Sequence, residues 1–208
     1  SAVMDSIIGL VGDGFVLIAA DQAQARSIMI LKQDESKFLK LDSHKVFAMA
    51  GDHGDRSHFT QYVHKNLQLY QYRNGSKLST HAAANFTRSE LAKSLRKRMY
   101  QANLLLAGYD EKKDPKDDEK VIGEPSLYYL DYLGSMHKMT FAAHGYAGYF
   151  CLSILDRYYK DGMSLEEAQE VLNKCVAELK TRFLVNAMTY EVMIIDAKGV
   201  RNLDPIVK

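Results

Sequence analysis

Two apolar runs near the start of the chain set the strictest condition on its fold. Ile7-Ile8-Gly9-Leu10-Val11 and Phe15-Val16-Leu17-Ile18-Ala19-Ala20 hold no charged or amide side chain. They lack the alternation of a strand with one wet face, so both read as strands covered on both faces. Gly12-Asp13-Gly14 between them is a strong turn signal, which makes the pair a β-hairpin. Such a hairpin must lie inside the molecule, with further layers on either side. The chain has 208 residues, enough to build those layers as one domain spanning 1–208.

The next elements supply candidate layers. Lys37–Leu41 and Lys45–Ala50 read as a second strand pair turning at Asp42-Ser43-His44. A helix can start at Gly51-Asp52-His53-Gly54; from Asp55 to Tyr72 it carries Phe59, Val63, Leu67 and Tyr70, and it stops at Arg73-Asn74-Gly75. A second helix opens at Ser79-Thr80, with Ala83, Phe86, Leu91 and Leu95 near one stripe. Its basic end, Arg96-Lys97-Arg98, suits the negative end of a helix dipole better than a nucleic-acid patch.

Strands return at Asn103–Gly108, Leu127–Asp131 and Met139–Ala143. The stretch at 111–125 is dominated by Lys, Asp and Glu and reads as a solvated hairpin loop rather than a domain boundary. A helix follows at Ala147–Tyr158. Ser164-Leu165-Glu166-Glu167 is a capping box, leading into the stripe Leu165, Ala168, Val171, Leu172, Cys175, Val176 and Leu179. The last strand spans Thr189–Asp196, and Lys198-Gly199 turns the chain into its tail. Strands, two helices, strands, two helices, strand: this order predicts a layered α+β domain with helices outside and sheets inside.

Composition removes several function classes. Lys and Arg total 27 against 26 Asp and Glu, a net charge of +1, which gives no reason to expect nucleic acid or an anionic membrane as partner. No apolar run approaches the roughly 20 residues that span a bilayer, and Ser1–Ser6 carries no pattern of a secretory signal. Cys151 and Cys175 lie in apolar helical patterns and read as buried reduced thiols. His53, His58 and His64 share a segment but not a helix face, so no metal site is expected there. The default is a cytosolic or nuclear soluble protein.

Six strings, in order, resemble one family, the proteasome β subunits. They are Phe15–Asp21, Ala48–Asp55, Leu106–Asp110, Leu127–Asp131, Phe141–Tyr146 and Ser153–Tyr159. Within the family, Gln68-Leu69-Tyr70, Ala83–Arg88, Asn103–Asp110 and His144-Gly145-Tyr146 most resemble the β4 ring position. The charged loop at 111–125 is longer than that position leads one to expect. The resemblance implies a four-layer αββα sandwich of the N-terminal-nucleophile hydrolase type. It also implies assembly with other α and β subunits in four stacked seven-membered rings, with β3 and β5 as neighbours. No cofactor is implied, and the location is cytoplasm and nucleus.

The resemblance also places the candidate site. Active members use an N-terminal threonine whose own amine accepts the hydroxyl proton. A lysine and an aspartate assist, and a glycine amide stabilises the oxyanion. Here Asp21, Lys37 and Gly51 match the aspartate, lysine and glycine, but Asp5 stands at the nucleophile's place. Tyr146 meets a supporting serine, and roughly Phe183 and Asn186 meet a late aspartate and serine. The expectation is a catalytically silent subunit of a threonine-type endopeptidase complex, with Asp21 and Lys37 kept as an inherited buried ion pair and the Tyr146 ring obstructing any substrate. The alternative is an active threonine/serine-type peptidase using a processed terminus at Ser1 or Ser6. Ser1 lies four residues upstream of the required place, and Ser6 is one residue late, on the opposite strand face.

Overall fold

The computed structural model describes residues 5–26, 29–114, 117–182 and 189–207. The first hairpin forms as the sequence predicts: β1 (Ser6–Gly12) pairs with β2 (Phe15–Asp21) in register from Gly12↔Phe15 to Ile7↔Ala20. Gly14 takes φ 73° in the tight turn, a conformation that favours glycine. Every residue of β2 is buried, and strand alternation sends them to two different cores. Phe15, Leu17 and Ala19 face one core, whereas Val16, Ile18 and Ala20 face the other.

The remaining elements are β3 (Gln24–Arg26), β4 (Met29–Lys32), β5 (Phe38–Asp42), β6 (Lys45–Gly51), α1 (His53–Asn74), α2 (Thr80–Ser94), β7 (Ala102–Asp114), β8 (Asp117–Leu130), β9 (Met136–Met139), β10 (Phe141–Gly145), α3 (Tyr146–Phe150), α4 (Leu152–Tyr158), α5 (Leu165–Arg182), β11 (Thr189–Asp196) and β12 (Gly199–Val207). One sheet runs β10-β1-β2-β11-β12 and the other β5-β6-β7-β8-β9, with β3 and β4 as a separate ribbon. All strand pairs are antiparallel.

Three hydrophobic clusters make the layering explicit. Between the sheets lie Ile7, Val16, Ile18, Val46, Ala48, Leu105, Leu127 and Met193. The outer face of the first sheet packs under Ala147, Leu155, Ala168, Leu172, Cys175 and Leu179 of α3, α4 and α5. The outer face of the second sheet packs under Phe59, Val63, Ala83, Ala84 and Leu91 of α1 and α2. This is the αββα sandwich. The sheets approach closely at Gly9, where a Cβ would stand 3.1 Å from both Leu127 methyl groups.

Local chemistry fixes the helix ends. Asp52 accepts from the amides of Gly54 and Asp55 at the start of α1, and Ser79 accepts from Ala82 at the start of α2. The capping box of α5 is closed in both directions: Ser164 N–H donates to Glu167 Oε2 at 2.9 Å, and Glu167 N–H to Ser164 Oγ at 3.3 Å. Cys151 and Cys175 are buried free thiols. The hydrogen bond with Cys175 and burial together hold the Cys151 thiol far above its ordinary range.

Four features depart from the sequence reading. The predicted strand Met139–Ala143 is two strands: β9 belongs to the second sheet and β10 to the first, with Thr140 crossing between them. The stretch at 111–125 is a hairpin as predicted, but a paired one rather than a loop: the β7–β8 ladder continues from Asp110↔Glu124 to Lys113↔Val121. Among the described residues neither strand has a second partner strand there, since β6 leaves β7 at Gly108 and β9 leaves β8 at Leu127. The tail forms β12, an edge strand that accommodates Pro205. The helix predicted at Ala147–Tyr158 divides at Cys151 into α3 and α4.

Candidate functional site

Five elements deliver charged groups to one point. β1 begins beside the end of β2, and there the Ser6 N–H donates to Asp21 Oδ1 at 2.7 Å. Lys37, just before β5, is fully buried. Its Nζ reaches Asp5 Oδ1 at 2.6 Å, Asp21 Oδ2 at 2.7 Å and the Ala23 carbonyl at 2.8 Å. The ammonium donates to Asp21 and to the Ala23 carbonyl and forms an ion pair with Asp5, which offsets the several kcal/mol that burying an unpaired ion costs.

Gly51 closes β6 with φ 123°. A Cβ there would lie 2.0 Å from the Gln101 carbonyl oxygen, so only glycine fits. Its N–H donates to Asp5 Oδ2 at 2.9 Å. The same oxygen accepts from Arg56 Nη1 at 2.6 Å, and Arg56 Nη2 donates to Glu35 Oε1 at 2.5 Å. His53 Nδ1 stands 2.8 Å from that Glu35 oxygen, and the Glu35 N–H is held by the Gln22 carbonyl at 3.0 Å. Asp21, Lys37, Asp5, Arg56 and Glu35 thus form a chain of alternating charge.

The structure brings together Asp5, Asp21, Lys37 and Gly51. Tyr146 joins them through its backbone: its N–H donates to the Asp5 carbonyl at 3.1 Å. Gly145 permits this approach, since a Cβ there would fall 1.8 Å from that carbonyl oxygen. The Tyr146 side chain lines an open cleft of about 820 Å³ with Asn103, Tyr129, His144 and Tyr149. Phe183 and Asn186 lie outside the described residues.

Sequence reasoning missed Arg56 and Glu35. Arg56 left a signal, because it falls three residues before Phe59 and seven before Val63, on the stripe that α1 buries. A cation at that spacing calls for a buried anion. Glu35 sits in an otherwise polar connection, Gln33-Asp34-Glu35-Ser36, and nothing in that pattern sets it apart.

Electrostatics at the centre are uneven. Burial pushes the Asp21 carboxyl above its ordinary value, against the pull of Lys37, and the negative charge of Asp5 adds to the rise. The Tyr190 hydroxyl on β11 is raised by burial and by the Asp21 charge. The Asp5 nitrogen is part of the chain after Met4 and is not a basic amine. Both Asp5 carboxylate oxygens are already engaged.

An αββα frame whose lysine, aspartate and glycine amide converge just before β1 is of the N-terminal-nucleophile hydrolase type. The sequence matches the proteasome subunit family over residues 4–195. It is 46% identical over 198 residues to proteasome subunit beta type-2-B of Arabidopsis thaliana, covering 95% of this chain and 94% of the relative. Against proteasome subunit beta type-2 of Dictyostelium discoideum it is 46% identical over 200 residues, covering 96% and 97%. Against proteasome subunit beta type-4 of Saccharomyces cerevisiae it is 38% identical over 202 residues, covering 97% and 98%. The chain belongs to the proteasome β subunit family.

Proposed function

We propose that this chain is a non-catalytic, structural subunit of the 20S proteasome core, set at the β4 place of the inner ring. Residues 1–208 form one proteasome β-type domain that walls the chamber, helps close the seven-membered ring and meets the opposite β ring. Its partners are the other α and β subunits of the four stacked rings, with β3 and β5 on either side. It serves ubiquitin- and ATP-linked protein degradation in the cytoplasm and nucleus. The relatives support the ring position, because type-2 and type-4 are the names two nomenclatures give to it.

The observation that carries the silent reading is the Asp5 carboxylate. It stands at the place the resemblance gives to the nucleophile, where it is paired with the Lys37 ammonium and accepts from Arg56 and from the Gly51 amide. A carboxylate so held offers neither the hydroxyl nor the terminal amine that the chemistry needs. Asp21, Lys37 and Gly51 are then vestiges that hold the fold together, and Tyr146 stands where the supporting serine would be.

Intact mass of the subunit, after the native particle meets an electrophile that captures N-terminal hydroxyl nucleophiles, tests this reading. The expected result is an unmodified chain within a multi-subunit particle. An adduct on this chain, or its purification as a monomer from its native cell, would overturn it.

A further inference from the structure

The centre is more than an empty site with a residue missing. Two cations and an amide converge on the two oxygens of one carboxylate: Lys37 Nζ forms an ion pair with Oδ1, and Arg56 Nη1 and the Gly51 amide donate to Oδ2. Lys37 and Arg56 are both almost wholly buried, and Gly51 is pinned by its backbone conformation. The far side of each cation is held by another carboxylate, Asp21 on Lys37 and Glu35 on Arg56, so neither can turn away if Asp5 is lost. The three groups come from other parts of the chain: Lys37 just before β5, Gly51 at the end of β6 and Arg56 in α1. We infer that the Lys37, Arg56 and Gly51 donors form a preformed binding site for a small carboxylate, whose resident ligand is the chain's own Asp5 side chain.

This inference deepens the silent reading of the same centre and rests on it. The –CH2–COO⁻ of Asp5 is acetate less one hydrogen. Replacing Asp5 with glycine therefore removes one acetate equivalent and leaves both cations with a vacant acceptor position. Binding energy released to a free ligand would stabilise the assembled state in proportion to the logarithm of its concentration once the site is half filled. Acetate and formate fit the vacated volume, whereas benzoate exceeds it. Chloride has the charge but only one acceptor centre for donors that diverge onto two oxygens.

The test uses the assembled particle carrying Asp5→Gly in this subunit, with dissociation by urea followed on native gels. The variant particle is expected to dissociate at lower urea than the parent. Sodium acetate and sodium formate should restore the midpoint in a dose-dependent way. Sodium chloride and sodium benzoate at equal ionic strength should not, and the parent should respond to none of them. Equal effects of acetate and chloride on the variant, or equal effects of acetate on variant and parent, would overturn the inference.

Should Asp5→Gly fail to enter the particle in every salt, Arg56→Ala decides the matter from the opposite side. It exposes Asp5 Oδ2 and Glu35 Oε1 to a missing cation, so methylguanidinium should raise its dissociation midpoint more than methylammonium does. No difference between the two cations would count against the site. These outcomes differ from a failure of the silent reading, which would show as a covalent adduct whether or not acetate binds.

Discussion

Two lysine–carboxylate pairs in this molecule have nearly the same length and very different surroundings. Lys138 meets Glu124 at 2.5 Å across β9 and β8, with side chains 51% and 37% exposed. Lys37 meets Asp5 at 2.6 Å, with side chains 0% and 7% exposed. At the surface, water solvates each partner almost as well as the other charge does, so the pair contributes about 0–1 kcal/mol. In the interior each ion has already lost its water, and removing one partner strands the other. Distance alone says nothing about which pair matters; burial decides it.

The most severe break is Lys37→Met, which leaves Asp5 and Asp21 facing each other without their shared cation. A loss of about 5 kcal/mol is expected, seen as failure of the subunit to enter the particle or as a large drop in urea midpoint. Arg56→Met strands one oxygen each of Asp5 and Glu35, but Lys37 still meets Asp5 and His53 still meets Glu35, so the loss should be smaller, about 4 kcal/mol, by the same measurement. The reverse order of these two would show that the charge chain is not centred on Lys37.

His144 is a third case, a buried titratable group on which burial outweighs the nearby Asp131 charge. It stacks on Tyr129 with ring centroids 4.0 Å apart, and its Nε2 lies 3.2 Å from the Leu104 carbonyl. Burial lowers its pKa from the ordinary 6.5 to about 4. The unfolded chain binds a proton that the folded chain refuses. Stability from this group is therefore complete above pH 6.5 and falls as pH drops from 6.5 toward 4, by about 3 kcal/mol in all. Urea midpoints measured across that window should show the slope, and His144→Phe should flatten it. Smallest of all is Lys138→Ala, expected to shift stability by less than about 1 kcal/mol and to leave particle entry unchanged.

The sequence made part of this legible for identifiable reasons. The β1–β2 hairpin was readable because its turn and its doubly buried strands both leave strong signals, and the α5 capping box because its two partners are three residues apart. Asp5, Asp21, Lys37 and Gly51 came together on paper through resemblance to a family whose strings surround them. Arg56 and Glu35 did not, because Arg56 meets Asp5 from 51 residues away and Glu35 meets Arg56 from 21 residues away, and local patterns carry no such distance. The β9–β10 break was hidden for a related reason. An apolar run looks the same whether it serves one sheet or steps between two.

That step at Thr140 has a mechanical consequence. The Thr140 carbonyl accepts from the Val11 amide at 2.8 Å, so the covalent crossing between sheets is fastened at the far end of β1. At the near end of β1, the Asp5 carboxylate ties the first sheet to Gly51 at the end of β6, to Lys37 just before β5 and to Arg56 on α1. The Val200 amide adds another tie to the Ser43 carbonyl at 2.8 Å. A sandwich fastened at both ends of β1 resists shear between its two sheets.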